Sequence, residues 1–364
     1  MKNSFNTKLK KTAKQIITND GIIIKTLLLN SSYKGIISII TLPFIGLYCR
    51  EAQEFYNLRI MDEKTEKQIA DLRNSIKILC YKYNKIEKSF LKIDNDQNDY
   101  YIKLLENAPT NKQASYYNLG IYFDKNGHII GDTQLISFYF DSAEINNDEI
   151  NQKAYNLGNK MGIIIKRILM LSKCNHKTSK TSTPIDFKIG YIDYNSNNDN
   201  ILFKNNSDKG LNLLLLHMLG MIGSYKYVLR KILGDTNQWE YRCEYIISHN
   251  IWTGLKIIQH HFENTKSNTL DLELLSTIIE NGRNLFPTEY RNCMMHYELV
   301  HNDKSYIKQE LYRPDIPLYG LIESCFYGQS AKNYYDNLRK YMDNVEIFLN
   351  SFFKLDYQNI KWDL

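Results

Sequence analysis

Glycine and proline are scarce in this sequence, with 17 Gly and 6 Pro among 364 residues. Sandwiches and barrels of short strands need such turn residues at close intervals, so their scarcity argues against an all-β fold. Tyrosine is abundant, at 28 residues, and hydrophobic and charged residues make up 43% and 24% of the chain. This composition is typical of a folded globular protein. We therefore predict a mainly α-helical fold of two or three domains.

Motifs for metal, cofactor or nucleophile chemistry are also missing. The six cysteines are scattered without metal-ligand spacing, and the isolated pair Cys174 and His176 fits a loop. The middle third of the sequence contains no phosphate-binding loop, no nucleophile elbow and no carboxylate pair. No secretory signal opens it, so we expect reduced thiols and a cytoplasmic location. We predict no metal and no cofactor.

Positive charge is unevenly distributed along the chain. The net charge is +6, and residues 1–34 alone carry seven lysines against one aspartate. Residues 207–364 carry 17 basic and 19 acidic side chains, for a net charge of −2. Capture of an acidic partner such as RNA would therefore need a local basic patch or the N-terminal segment.

Residues 1–49 combine a lysine-rich start with an apolar stretch. The longest uncharged run, Gly35 to Cys49, has fifteen residues and contains Pro43. A bilayer requires about 20 apolar residues, so a buried helix packed on the C-terminal helices is the favoured interpretation. A membrane-surface anchor and a transmembrane helix are the alternatives.

The clearest periodicity lies in the rest of the N-terminal region, residues 1–110. Apolar residues alternate spacings of three and four at Ile69, Leu72, Ile76, Leu79, Tyr83, Ile86, Phe90 and Ile93. This pattern predicts one long helix with a narrow, coiled-coil-like apolar seam. The seam fits an antiparallel helix pair within the chain and a zipper between two chains equally well.

Residues 111–206 form a small mixed α/β middle region. Apolar residues on both sides of Asn126-Gly127 predict a β-hairpin. Further elements predicted here are a strand at Leu135–Asp141, a helix at 147–173 and a second hairpin that pairs Phe187–Tyr194 with Ile201–Phe203.

Residues 207–364 read as a helical domain. Apolar periodicity predicts helices at 211–233, 239–263, 269–284, 288–301 and 331–353. The segment 288–301 contains the most distinctive motif, Arg-Asn-Cys-Met-Met-His at Arg291–His296.

This motif pairs a permanent cation with a group that titrates near neutral pH. Pro287 fits a helix start, and Asn292 and His296, four residues apart, share a helix face. Arg291 and His296 lie about 140° apart around the helix axis. That geometry suits two groups on opposite sides of one phosphodiester, or a site completed by a second copy of the helix.

The motif resembles the core motif of the HEPN superfamily, in which Arg, often followed by Asn, precedes His by four to six residues. Many HEPN proteins are metal-independent ribonucleases of toxin, abortive-infection and antiviral defence systems. The resemblance covers the motif and, more loosely, the helical last 150 or so residues. It implies a C-terminal HEPN-like helical bundle and an RNA-cleaving hydrolase whose sites usually face each other in a homodimer.

The resemblance also implies roles for individual residues. His296 would be the general acid or base when the 2′-hydroxyl attacks the adjacent phosphorus, and Arg291 would stabilise the charge on the phosphate. Asn292 would orient His296 or the phosphate. Tyr297 is a secondary candidate for base stacking, although a packing role is the alternative. Arg242 and His249, seven residues apart, are secondary candidates for lining the same groove.

Two other functions compete with the nuclease. The C-terminal bundle could be a non-catalytic binding or dimerisation module, or the chain could be a membrane-proximal defence effector that depends on residues 1–49. In the nuclease, Arg291 and His296 should be accessible in a groove, whereas in the binding module one of them is buried in a salt bridge. An antitoxin or activating partner fits the nuclease hypothesis, but the sequence names none.

Overall fold

The chain is mainly helical, with one small antiparallel sheet and a short second hairpin. The computed structural model describes residues 2–30, 34–106, 117–140, 147–172, 188–197, 202–204, 208–234, 237–265, 270–355 and 357–362. The helices are α1 Lys2–Asn30, α2 Lys34–Tyr56, α3 Glu63–Ser75, α4 Tyr83–Glu106, α5 Thr133–Phe140, α6 Asn147–Leu171, α7 Lys209–Gly223, α8 Arg230–Leu233, α9 Gln238–Thr265, α10 Leu272–Gly282, α11 Thr288–His296, α12 Leu321–Cys325 and α13 Ala331–Asn350. The strands are β1 Leu119–Asp124, β2 Ile129–Asp132, β3 Ile189–Tyr194, β4 Val300–His301 and β5 Lys304–Ser305. The predicted mainly α fold is confirmed at this level.

The apolar N-terminal stretch lies within α2 and faces the protein interior. Residues 40–49 are all buried, and Pro43 lies inside the helix. Among the described residues, the helices fall short of the combined length and hydropathy that a membrane crossing requires. The buried-helix interpretation therefore accounts for this segment, because its described apolar side chains are covered by protein.

The heptad-like seam is not one long helix. α3 ends at Ser75, a short 3₁₀ turn follows at Ile78–Cys80, and α4 begins at Tyr83. The carbonyl of Ile76 accepts a hydrogen bond of 2.8 Å from the Asn250 side chain instead of continuing the helix. The prediction of a continuous helix is thus wrong, because a long-range polar contact replaces the local one.

The seam side chains are nevertheless buried within the chain. Those with less than 5% exposure are Ile69, Leu72, Ile76, Leu79, Tyr83, Ile86 and Phe90. They join the common apolar core, so this fold does not present the seam to a second chain. The alternative of an intermolecular zipper is excluded for this conformation.

The predicted hairpin around Asn126-Gly127 is confirmed. β1 and β2 pair antiparallel, and Gly127 adopts φ +84°, a conformation that favours glycine. The predicted strand at Leu135–Asp141 is wrong, since α5 occupies Thr133–Phe140. Asp132 caps this helix by accepting hydrogen bonds from the backbone N–H groups of residues 134 and 135.

The second predicted hairpin is also wrong. β3 pairs along its whole length with β1, which gives the strand order β2-β1-β3. Phe203 instead forms an isolated antiparallel bridge with Phe353 at the end of the last long helix. The predicted helix at 147–173 is confirmed as α6.

The C-terminal helices agree with the sequence pattern. α7 lies in the core, with all residues from Gly210 to Gly223 buried, and continues through a π-helical turn, Ser224–Leu229, into α8. The predicted helices at 239–263, 269–284 and 331–353 are confirmed as α9, α10 and α13. The motif helix α11 ends at His296 and not at residue 301, because residues 300–305 form the β4–β5 hairpin.

One contiguous core connects all three predicted regions. It includes Ile45 of α2, Phe123 of β1 and Leu214 of α7, together with most other buried apolar residues. The boundaries near 110 and 206 therefore mark changes of composition and secondary structure and do not separate independent cores.

Candidate functional site

The motif helix α11 is short and anchored on its buried side. Pro287 precedes it in an extended conformation, and Tyr297 ends it with φ 55°. Tyr290, Cys293, Met294 and Met295 are buried, whereas Arg291, Asn292 and His296 are partly exposed. The apolar residues of the motif thus hold the helix in place, and its three polar residues reach the surface.

His296 is held by a buried carboxylate. Its Nδ1 lies 2.9 Å from Oε2 of Glu51 on α2. The Glu51 side chain is 2% exposed, whereas that of His296 is 34% exposed. Among the described residues, Nε2 of His296 has no hydrogen-bond partner. The ring is therefore oriented through one nitrogen and presents the other to solvent.

Arg73 completes this group from α3. Its Nη2 lies 2.7 Å from Oε1 of Glu51, so the carboxylate spans an arginine and a histidine. Burial alone would raise the pKa of Glu51, but the hydrogen bond with His296 and the charges of His296 and Arg73 outweigh it and lower the pKa. Glu51 is thus ionised at neutral pH, which favours the tautomer of His296 with the proton on Nδ1.

Arg291 is partly exposed and carries no ion pair within the described part of the chain. Its Nη1 donates a hydrogen bond of 3.1 Å to Oδ1 of Asn292. Among the described residues, the side chain of Asn292 therefore forms a hydrogen bond with Arg291 and none with His296. Since a guanidinium has five N–H donors, most of those of Arg291 stay available to a ligand.

Lys77 experiences the charges of several residues around the motif. Burial and the charges of Arg73 and Arg291 lower the pKa of Lys77, while Glu51 opposes them. Arg73 and Lys77 are four residues apart, at the end of α3 and in the turn that follows. Arg73 is thus linked to His296 through Glu51, and the charges of Arg73 and Arg291 both act on Lys77.

A cleft of about 640 Å³ adjoins His296 on another side. Its charged lining mixes Lys10 and Lys14 of α1 with Glu51, Glu54 and Glu298. Arg73, Lys77 and Arg291 do not line it. The charged residues that line this cleft are therefore of mixed sign, and they include no arginine.

Two secondary candidates are internal. Tyr297 is 2% exposed, and its hydroxyl donates a hydrogen bond of 2.7 Å to Asp20. Arg242 is also buried, with Nε 3.0 Å from Asp20, and its guanidinium lies 3.8 Å from the centre of the Tyr297 ring. Base stacking by Tyr297 and a groove position for Arg242 are therefore both wrong.

Arg242 has a positioning role instead. Its Nη1 donates a hydrogen bond of 3.1 Å to the carbonyl of Cys293 and another to that of Met294. Both carbonyls lie in the last turn of α11, where that of Cys293 also accepts from the backbone N–H of Tyr297. The Asp20–Arg242 pair thus fixes the end of the helix that carries His296.

The remaining secondary candidate, His249, does lie beside the motif. It is half-buried on α9, and its ring centre is 5.8 Å from that of Phe286. Burial and the charges of Arg291, Lys256 and Lys77 lower its pKa to about 4. His249 is therefore neutral at physiological pH and close to three cations.

Sequence reasoning missed Glu51, Arg73 and Lys77. Arg73 and Lys77 lie between the seam residues, where charged side chains are normally exposed to solvent. Of these three residues, only Glu51 could have been found from the sequence. It follows the apolar run Gly35–Cys49 closely, and a carboxylate that is buried with such a run needs a charged or hydrogen-bonding partner.

A scan against protein-family models, a search of curated proteins and a search of solved structures each found no match for this chain. Within the described ranges, no three His, Cys, Asp or Glu side chains converge as metal ligands would. Cys174 and His176 lie outside those ranges.

Proposed function

We propose that this chain is a metal-independent endoribonuclease of the HEPN type. The observation that carries the proposal is His296, oriented by the buried Glu51, on the same helix as Arg291; within the described ranges Nε2 of His296 has no hydrogen-bond partner and Arg291 has no ion pair. An oriented imidazole with one free nitrogen and a free guanidinium are the two groups that phosphodiester cleavage next to a 2′-hydroxyl requires.

The reaction balances without a further reagent. The 2′-oxygen forms a bond to phosphorus, the bond to the 5′-oxygen breaks, and the products are a 2′,3′-cyclic phosphate and a 5′-hydroxyl. Nε2 of His296 takes the proton of the 2′-hydroxyl, and the leaving 5′-oxygen receives a proton from water or from His296 of a second copy. Arg291 donates hydrogen bonds to the phosphate oxygens as negative charge builds on them.

Local charge supports RNA as the substrate. Arg73 pairs with Glu51, and Lys77 experiences the charges of both Arg73 and Arg291, although residues 207–364 as a whole are slightly acidic. Phosphate contacts of this kind supply most of the affinity for a nucleic-acid backbone.

A defence or toxin role in bacteria, a homodimer and an antitoxin or activating partner belong to the same proposal. They rest on the HEPN resemblance. A homodimer would have to use a surface other than the buried seam of α3 and α4.

The second candidate is a binding module without catalytic activity. It is favoured by the hydrogen bond between His296 and Glu51, which in itself is a stabilising contact between α11 and α2. The two candidates differ in whether the exposed nitrogen of His296 performs chemistry.

RNA cleavage in EDTA separates the candidates. We expect cleavage by the wild type and a loss of at least about 100-fold in Arg291→Ala and in His296→Ala, the usual range for general acid–base groups. The matched controls are Arg283→Ala and His301→Ala, which remove exposed side chains of the same types. Circular dichroism checks that each variant is folded.

Two outcomes would contradict the nuclease. Equal cleavage by all five proteins means contamination or another site. Tight RNA binding without cleavage, at any protein concentration that allows dimerisation, favours the binding module.

A further inference from the structure

The cleft beside His296 is built by three parts of the chain. α1 supplies Lys10 and Lys14, α2 supplies Phe55, and the segment that follows α11 supplies Leu299. Its volume of about 640 Å³ lies within the range of pockets that enclose a small organic ligand. Because His296 lines the same cleft, a ligand bound there lies next to the imidazole.

The α1 side of this cleft is fixed to the rest of the protein. Leu9 and Ala13 of α1 are buried. The carbonyl of Ile16 accepts a hydrogen bond of 2.9 Å from the side chain of the first residue of α9. Lys10 and Lys14 therefore stand one turn apart on the same face of an anchored helix, and both side chains are exposed.

The two lysines carry the uncompensated charge of the cleft. Three carboxylates also line it, and each has an oxygen within 3.0 Å of a basic side chain: Glu51 with Arg73, Glu54 with Arg50 and Glu298 with His301. Within the described ranges, neither Lys10 nor Lys14 forms an ion pair. This side of the cleft therefore attracts an anion.

An aromatic ring and aliphatic side chains line the cleft as well. Phe55 is half-buried, and its ring makes an edge contact with that of Tyr56, with the ring centres 5.6 Å apart. Leu299 is buried and Val300 is half-buried. A nucleobase stacks on such a ring, and lysines bind the phosphate attached to the same nucleotide.

We propose that this cleft binds a nucleotide of single-stranded RNA, with its phosphate on Lys10 and Lys14 and its base against Phe55. The strand has to be single because a base that stacks on a side chain is unpaired. Arg291 does not line the cleft, so the bound nucleotide is a neighbour of the one whose phosphate meets Arg291 and His296. This last assignment rests on the proposed ribonuclease function, whereas nucleotide binding does not.

Salt-dependent binding of an uncleavable RNA tests the two lysines. The probe is a short single-stranded oligoribonucleotide with 2′-O-methyl groups throughout, which removes the attacking hydroxyl, and fluorescence anisotropy follows its binding to the full chain. Lys10→Gln and Lys14→Gln each remove one phosphate contact. We expect each to reduce the steepness of log K against log salt by about 0.7 and to weaken binding about fourfold at about 150 mM salt.

Lys11→Gln is the matched control. Lys11 is exposed and follows Lys10 directly on α1, but it does not line the cleft. An equal loss in Lys11→Gln would mean diffuse charge attraction and would overturn the proposal. Unchanged binding in both Lys10→Gln and Lys14→Gln would overturn it as well.

Phe55→Leu tests the base contact separately. Leucine keeps an apolar side chain on α2 and removes the ring, so binding should weaken about fivefold while the salt dependence stays the same. Phe5→Leu is the control, because Phe5 is also half-buried with an edge contact to a tyrosine but lies outside the cleft. Equal binding by wild type and Phe55→Leu would overturn the stacked base.

A mononucleotide distinguishes RNA from a free nucleotide. Adenosine monophosphate competes with the oligonucleotide, and competition weaker by about fourfold or more supports RNA, since each further phosphate contact contributes that much. Equal affinity for the mononucleotide, reduced in both Lys10→Gln and Lys14→Gln, would overturn RNA in favour of a free nucleotide.

Binding and cleavage fail independently in these experiments, because the oligonucleotide cannot be cut. An inactive wild type whose binding falls in both lysine variants would refute the nuclease and support the cleft. Cleavage that depends on Arg291 and His296, with unchanged binding in both lysine variants, would support the nuclease and overturn the cleft.

Discussion

Glu51→Gln is the sharpest test of how His296 is held. The change keeps the size of the side chain and removes its charge. The carboxylate contacts His296 through one oxygen and Arg73 through the other, whereas glutamine has a single acceptor oxygen. The amide can turn its N–H₂ group towards a donor, in which case one of the two contacts is lost. If it instead donates to Nδ1 of His296, the ring proton moves to Nε2, which then cannot accept a proton from a substrate.

The size of the effect follows from the contacts. A hydrogen bond to a charged group contributes about 1.5–3 kcal/mol in a buried setting. Arg73 and His296 are 20% and 34% exposed, so solvent reduces this value, and we expect the free energy of unfolding to fall by about 1–2 kcal/mol. If the ring of His296 loses its orientation, a loss of about 1–2 kcal/mol in transition-state stabilisation would lower kcat/KM by about 5- to 30-fold.

The pH dependence gives an independent signature. Because the folded protein lowers the pKa of Glu51, the carboxylate contributes stability above the ordinary Glu pKa of about 4.3. That contribution is lost as the pH falls through the lower, folded pKa. Urea unfolding at a series of pH values should therefore show the full difference between wild type and Glu51→Gln at neutral pH and a shrinking difference below about pH 4.

Glu54→Gln is the control for this experiment. Glu54 lies on the same helix and lines the same cleft, but its side chain is 51% exposed and pairs with Arg50 one turn away. We expect unchanged cleavage and stability. If Glu51→Gln cleaves RNA as fast as the wild type while His296→Ala is inactive, Glu51 does not orient the catalytic ring and the argument built on it is refuted.

Two further predictions concern the packing that supports the site. Arg242→Met leaves Asp20 buried without its cation, so urea unfolding should show a loss of about 3–5 kcal/mol, and a loss below about 1 kcal/mol would contradict the buried ion pair. Gly223→Ala places a Cβ against the carbonyl oxygen of Ile129, where α7 packs on β2, and should lower the free energy of unfolding by about 1–3 kcal/mol. Its control, Gly158→Ala on α6, meets open space and should raise that free energy by about 0.5–1 kcal/mol, so equal effects of the two alanines would contradict the packing.

The helices of the C-terminal region were predictable because their apolar residues repeat at helical spacing and local residues mark their ends. Pro287 before the motif helix is one such mark. Where prediction was wrong, a competing contact decided the structure. Asn250 interrupts the seam helix from 174 residues away, and no local pattern encodes that contact. For α5 the deciding signal is local. Asp132 caps the start of the helix, and this contact outweighs the apolar, aromatic sequence that predicts a strand at Leu135–Asp141.

The candidate site was predictable only in part, for the same reason. Arg291, Asn292 and His296 are close in sequence, so a local motif reveals them. Glu51 is 245 residues from His296, and only the tertiary fold brings the two side chains together. Similarly, the spacing of seven residues predicts that Arg242 and His249 share one face of a helix. It does not show that Arg242 is buried and that only His249 is partly exposed beside the motif helix.

Residues from both ends of the chain build the surroundings of the motif. The C-terminal region supplies Arg291 and His296, and the N-terminal region fixes their helix at two points, Glu51 against His296 and Asp20 against Arg242. Residues 207–364 carry a net charge of −2, so the cations next to the motif have to come partly from elsewhere, and α3 with its following turn provides Arg73 and Lys77. A chemistry that needs an oriented imidazole beside a concentrated positive charge therefore depends on the docking of α1, α2 and α3, and the C-terminal helices alone would present the motif without either.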